Sequence, residues 1–150
     1  MRVVLWLEND EIQCALANKI FTSFEVVGIV KETRKVPKKF SFRKVFEALL
    51  ERIFLPDLRS AWLNLKRYYR LRYPSFPNVS MLEVENINDS LVRIFSEDLS
   101  PDLIVVSGTR MIRNENLNTN IRIGMLNLHT GLSPYIKGGP NCTNWCLAES

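Results

Sequence analysis

The chain has 150 residues, enough for one domain with a substantial core. It is 46% hydrophobic and 24% charged, a globular balance, and no apolar run approaches the roughly 20 residues that span a bilayer. Three widely spaced cysteines (Cys14, Cys142, Cys146) argue against a disulfide framework. A zinc site would have to recruit both Cys14 and the lone His129, which argues against a structural metal.

Residues 2–7 are apolar and β-prone and stop at Asn9-Asp10, which predicts a first strand. The stretch is too short for a signal-peptide core and lacks a small-residue cleavage site, so the expected location is the cytoplasm. A helix is predicted from Asp10 to Phe21, with Asp10 as cap and Gln13 at capping-box spacing. Ile12, Ala15, Leu16 and Ile20 form its expected apolar face. Glu25 to Val30 reads as a second strand. Strand, helix, strand in this order predicts a parallel βαβ unit.

The pattern then breaks. Lys31 to Lys39 is basic, contains Pro37 and reads as a loop. Phe42 to Phe54 reads as a helix with Val45, Phe46, Leu49 and Ile53 on one stripe. After Pro56, a second helix is predicted from Asp57 to about Leu71. Its apolar stripe is Leu58, Trp62, Leu65 and Tyr69, with Arg59, Lys66, Arg67 and Arg70 opposite. Residues 31–72 hold 13 Lys or Arg against 4 Asp or Glu, a local balance of +9 within a net charge of +4. The plain expectation is a helical cap whose stripe packs on the sheet and whose charges are solvated. A nucleic-acid or anionic-substrate surface and a membrane-surface helix are the alternatives.

Order resumes with a weaker strand at Met81 to Glu85 and a helix from Asp89 to about Leu99, with Leu91, Ile94 and Phe95 expected inward. Leu103 to Val106 is the clearest buried strand, and Gly108 follows it. Asn114 to Asn120 is polar and reads as a loop or frayed turn. Gly124 to Leu128 is a further apolar strand that runs into a loop with Pro134, Pro140, Gly131, Gly138 and Gly139. A last helix is predicted near Asn141 or Cys142. Asn141 is its expected cap, with Trp145 and the cysteines packed inward. The whole predicts an α/β fold: a Rossmann-like, doubly wound, mainly parallel sheet with a helical insertion at about 31–79.

Asn127 and His129 stand two apart at the end of the last predicted strand, so both would project to one face. Ligands of doubly wound sheets bind beyond the carboxyl ends of the strands, where Gly108 also lies. An amide and an imidazole together suit hydrogen bonding to a carbonyl oxygen that gains negative charge. The competing reading is that they satisfy turn backbone groups.

The stretch Asn127-Leu128-His129-Thr130-Gly131-Leu132-Ser133-Pro134-Tyr135-Ile136-Lys137-Gly138 resembles the signature of the folate-dependent formyltransferases. That pattern runs Asn, apolar, His, two small residues, Leu, a variable residue, Pro, then Gly. Asn86 to Asp89 before a helix, and Ser100 to Gly108, are similar to the family's central helix and strand. The resemblance covers about 1–30 and 80–150. It implies transfer of a formyl group from 10-formyltetrahydrofolate to an amine, with Asn127 and His129 as catalytic residues that polarise the formyl carbonyl. It also implies that the segment from Gly108 to Ile112 lines the folate pocket, Gly108 and Ile112 being the positions carried over. No metal is implied.

Three departures shape the expectation. The family's catalytic Asp lies tens of residues beyond the His, past Ser150, so the trio is incomplete and this form is expected to be weak or inactive. Asp102 precedes the site strand and cannot take that role. Where the purine-pathway members have a Gly-rich phosphate loop, this chain has Glu8-Asn9-Asp10-Glu11, which would repel a phosphate. The favoured acceptor is therefore a small-molecule amine, an amino sugar on a nucleotide carrier. The rival expectation is a non-catalytic binding or interaction module that uses the basic insertion. A sheet that ends at the Asn127 strand would leave an open edge, which predicts a homodimer.

Overall fold

The structure, a computed structural model, describes residues 1–34 and 56–129 together with the helical positions Phe42, Phe46, Leu49 and Ile53. Its centre is a five-stranded sheet of β1 (Arg2–Glu8), β2 (Glu25–Glu32), β3 (Ser80–Val84), β4 (Leu103–Ser107) and β5 (Gly124–Asn127). The order is β3-β2-β1-β4-β5 and every neighbouring pair is parallel. The helices are α1 (Glu11–Phe21), α2 (Pro56–Arg72), α3 (Ser90–Asp98) and the single turn α4 (Asn114–Leu117). The α/β, Rossmann-like, parallel architecture expected from the sequence is the one observed.

The strand period of two divides the core into two layers. Val4, Trp6, Val30, Ile104 and Val106 form one cluster with Val84, Ile87 and Val92. Val3, Leu5, Leu7, Ile29 and Val105 form the other with Ala17, and Leu16 and Ile20 of α1 pack on it. Both faces of β1 and β4 are therefore buried, as parallel sheets require. Trp6 is fully enclosed, and its Nε1–H donates to Ser96 Oγ at 3.0 Å.

That bond explains why the predicted inward face of α3 is displaced. Leu91 and Ile94 are 54% and 49% exposed, whereas Val92 and Ser96 are buried and Phe95 and Leu99 pack on the core. Positions 92, 95, 96 and 99 form one helical stripe. A serine occupies its middle because a buried indole N–H needs an acceptor. Gly28 sits beneath this helix: an added Cβ would lie 2.3 Å from Leu99 Cδ1 and 3.3 Å from the Phe95 ring, so α3 approaches the strand closely. Asp89 caps α3 by accepting from the Leu91 N–H at 2.9 Å.

On the other face, Asp10 caps α1 by accepting from the Gln13 N–H at 2.8 Å. The expected capping box is only half made, because the Asp10 N–H turns back to Glu8 O at 3.0 Å. Ala15 of the predicted face is buried and Leu16 and Ile20 pack on the core, and Cys14 and Ala17 are buried beside them. Small side chains let the helix sit close to the sheet. Burial pushes the Cys14 thiol pKa up, against a smaller opposing hydrogen bond from Asn18.

The insertion begins later than expected. Lys31 and Glu32 belong to β2 rather than to a loop. α2 starts at Pro56, a favoured first helical position, and it lies against α1, not on the sheet. Lys66 and Arg70 pair with Glu11, and Asn18 Nδ2–H donates to Ser75 O at 2.9 Å. Trp62 and Leu65 of the predicted apolar stripe are 52% and 39% exposed. Phe42, Phe46, Leu49 and Ile53 are helical and likewise exposed. The remainder of the first insertion helix, and the predicted loop and helix with Asn141, Cys142, Trp145 and Cys146, lie outside the described residues. No helix among the described residues is long and apolar enough to cross a membrane.

Candidate functional site

The chain passes from the β3 side of the sheet to the β5 side between β1 and β4, so the topological switch point lies at their carboxyl ends. The β1 end is closed by its own side chains. Glu8 pairs with Arg34 at 3.7 Å, Asn9 Nδ2–H donates to Thr33 Oγ1 at 3.2 Å, and Asp10 occupies the α1 N-terminus. Glu11 lies under Arg70, whose hydrogen bond is the main cause of a carboxyl pKa below its ordinary value, with the Glu11 N–H and Lys66 adding to it. The helix N-terminus that could hold a phosphate is thus capped internally and ringed by carboxylates.

The β4 end turns at Gly108, whose φ is +73°. A Cβ there would stand 2.9 Å from Gln13 Nε2 and 3.2 Å from Glu8 Cβ. Gly108 is needed for its backbone conformation and for this close approach. Gln13 Oε1 is buried beside it with no hydrogen-bond partner among the described residues.

The loops beyond β3 and β4 are stitched together by amides. Asn88 Nδ2–H donates to Met111 O at 3.0 Å, and the Arg113 N–H donates to Asn88 Oδ1 at 2.7 Å. Buried Asn116 donates through Nδ2 to Ile87 O at 2.7 Å and to Asp89 O at 3.2 Å. Behind them lies Glu32 at the carboxyl end of β2, fully buried. Its Oε1 accepts from the Ile87 N–H at 3.0 Å, and its Oε2 from the Arg110 N–H at 2.9 Å and Arg34 Nε–H at 3.3 Å.

Beside these bonds lies a cavity open to solvent, of about 530 Å³, lined by Asn86, Asn88, Met111, Ile112, Arg113, Glu115 and Asn116. Its volume falls in the range of small-molecule sites, and its wall mixes apolar contact with amide donors and acceptors. Ile112 lines it and also packs on the Trp6 side of the core.

Asn127 ends β5 opposite Val106, and the Leu128 N–H continues the ladder to Val106 O at 2.8 Å. Met125 packs on the same core cluster as Ile112, and strand alternation gives Asn127 the parity of Met125. Asn127 therefore belongs to the sheet face that carries the cavity. β5 is the sheet edge among the described residues, the open edge expected at the Asn127 strand, with strand β4 on one side only, and Leu126, Asn127, Leu128 and His129 are all exposed. Of the four predicted positions, Ile112 is in the cavity wall; Gly108, Asn127 and His129 are not among its lining residues. Asp102 stands at the opposite, amino edge of the sheet. Its carboxylate accepts from Arg122 Nε–H at 2.6 Å and the Arg2 N–H at 2.8 Å. Both bonds lower its pKa, Arg122 more than Arg2.

The sequence reading missed Glu32, Asn88 and Asn116. Glu32 lies between Lys31 and Arg34, and Asn116 lies in a run of asparagines, so each looks solvated. A charged residue closing an otherwise apolar strand run was the available signal for Glu32. Among the described residues no three His, Cys, Asp or Glu side chains cluster as a metal site.

A site at the carboxyl edge of a parallel, Rossmann-like sheet defines the class of fold. No family model matches the sequence, and no curated protein matches it. Solved structures do match. One is the crystal structure of phosphoribosylglycinamide formyltransferase from Anaplasma phagocytophilum, with a TM-score of 0.56 and 15% identity. The match covers 100% of this chain and 59% of that one. The two share a formyltransferase-like fold, and this chain spans a little over half the length of that protein.

Proposed function

We propose that the chain is a formyltransferase-type domain that moves a formyl group from 10-formyltetrahydrofolate to an amine. The observation that carries this reading is Asn127-Leu128-His129, followed by Leu132, Pro134 and Gly138, on a strand that ends at the carboxyl edge of this fold. The cavity supports it as the donor's place. Met111 and Ile112 offer apolar contact, the Asn86 amide offers a donor, and Arg113 offers charge pairing to a carboxylate.

The donor supplies the formyl carbon. The Asn127 amide and the His129 imidazole would donate hydrogen bonds to the formyl oxygen as charge builds on it during amine attack. The acceptor we favour is an amino sugar on a nucleotide carrier. Internal capping of α1 by Asp10, with Glu8 and Glu11 beside it, argues against a phosphate in the position used by a Gly-rich loop. The test is formyl transfer to amino-sugar nucleotides, measured for this chain beside calorimetric folate binding. Transfer that is lost in Asn127→Ala and in His129→Ala supports the reading. Absence of transfer and of folate binding overturns it.

A second reading rests on α2. Trp62, Leu63, Tyr68 and Leu71 are 52%, 56%, 55% and 75% exposed, with Arg67, Arg70 and Arg72 among them. This is the surface of an interaction module for polyanions. Polyanion binding that falls steeply with salt, with no folate binding, would favour it over the enzyme.

A further inference from the structure

We infer that Glu32 is a positioning residue for the cavity, holding the loop after β4 against the loop after β3. The identity of the occupant rests on the function proposed above; the clamp does not. Glu32 is 0% exposed, and a carboxylate removed from water must be fully paired to persist. Its two oxygens meet two backbone donors from segments far apart in sequence. One is the Ile87 N–H on Oε1 at 3.0 Å, and the other is the Arg110 N–H on Oε2 at 2.9 Å. Two guanidinium groups complete the shell: Arg34 Nε at 3.3 Å from Oε2 and Arg110 Nε at 3.5 Å from Oε1. Arg34 also donates through Nη2 to Gly108 O at 2.7 Å. One carboxylate therefore ties β2 to both loops.

The consequence falls on the next three residues. With Arg110 fixed by Glu32, and with Met111 O and the Arg113 N–H fixed by Asn88, the backbone through Ile112 is held at both ends. Met111, Ile112 and Arg113 from one loop and Asn86 and Asn88 from the other are thereby held where they line the cavity. An apolar side chain at position 32 would fill the volume and leave the buried Ile87 N–H and the part-buried Arg110 N–H unpaired. A glutamine would keep one acceptor oxygen and turn its NH₂ against either Ile87 or Arg110, donor facing donor.

The experiment pairs amide hydrogen exchange with calorimetric titration of 5-formyltetrahydrofolate, a stable analogue of the proposed donor. In the wild type, the Ile87 and Arg110 amides should exchange slowly although neither lies in a strand ladder. In Glu32→Gln, at least one of them should exchange about tenfold faster or more, a factor that corresponds to one lost bond, while Ile29 and Val105 keep their protection. The affinity for the folate should fall between about 10- and 100-fold, the scale of a small misplacement of a binding wall. Val26→Ala, which loosens the other core layer, should leave affinity unchanged at comparable stability.

Fast exchange at Ile87 and Arg110 in the wild type overturns the clamp, and that result needs no folded variant. So does unchanged exchange in Glu32→Gln, or an equal loss of affinity in Val26→Ala. If the wild type shows the slow amides and their release in Glu32→Gln but binds no folate, the clamp stands and the proposed occupant is wrong.

Discussion

Removing the Ser96 hydroxyl should cost more than its size implies. Trp6 Nε1–H donates to Ser96 Oγ at 3.0 Å, both side chains are fully buried, and the Ser96 hydroxyl in turn donates to Val92 O at 2.8 Å. Ser96→Ala leaves the indole N–H in the core without an acceptor, which costs about 1–3 kcal/mol. The higher helix propensity of alanine offsets roughly 0.5 kcal/mol of this. The expected net loss is about 0.5–2.5 kcal/mol, or a thermal midpoint lower by roughly 1–10 °C for a domain of this size. Trp6→Phe removes the donor together with part of the ring and should cost about 2–4 kcal/mol through lost contacts and the space left behind. In the double variant the unpaired indole no longer exists, so the two losses should fall short of additivity by about 1 kcal/mol. Urea unfolding followed by far-ultraviolet circular dichroism measures all three. A Ser96→Ala protein as stable as the wild type, or losses that add to within about 0.3 kcal/mol, would refute the reasoning.

Two further outcomes follow from the same packing and from the amino edge of the sheet. Leu91→Lys and Ile94→Lys should each change stability by less than about 0.5 kcal/mol, because both side chains are half exposed; Val92→Ala should cost about 1–3 kcal/mol. Equal losses at 91 and 92 in urea titrations would contradict the observed helix face. Asp102 has its pKa lowered by Arg122 and, next, by the Arg2 N–H. A depressed carboxyl pKa stabilises the fold above the unfolded value near 4 and ceases to do so as pH falls through the folded value. The gap in thermal midpoint between wild type and Asp102→Asn should therefore be level at neutral pH and close below about pH 4. It should also shrink in salt, since the pair is exposed. A gap that widens on acidification contradicts this assignment.

Local signals in the sequence were reliable wherever the physics is local. The alternation of β-prone runs with helical stripes gave the strands and their parallel pairing. Asp10 and Asp89 announced two helix starts, because a cap needs only neighbouring residues. Non-local pairing was invisible. Glu32 reads as part of a basic loop because its partners, Ile87 and Arg110, lie 55 and 78 residues away. Ser96 reads as a polar, outward position because its reason for burial, Trp6, is 90 residues away. Leu91 and Ile94 then took its place in the predicted stripe. α2 was misplaced for a similar reason: its apolar spacing was legible, but the Glu11 pairs that hold it beside α1 were not. At the site, Gly108 and Ile112 were singled out only through resemblance, and of the two only Ile112 lines the cavity. The structure gives Gly108 a reason independent of any ligand, its positive φ and its approach to Gln13.

The claim at the centre of this account is that Asn127 and His129 stabilise charge on a formyl oxygen. Its most direct test is the rate of formyl transfer from 10-formyltetrahydrofolate to an amino-sugar nucleotide for the wild type, Asn127→Ala and His129→Ala. Both side chains are exposed at the sheet edge, so the substitutions should leave folding intact. Each should lower kcat by about 10²–10³, the cost of one oxyanion donor, with folate affinity little changed. Variants that turn over at the wild-type rate would contradict it.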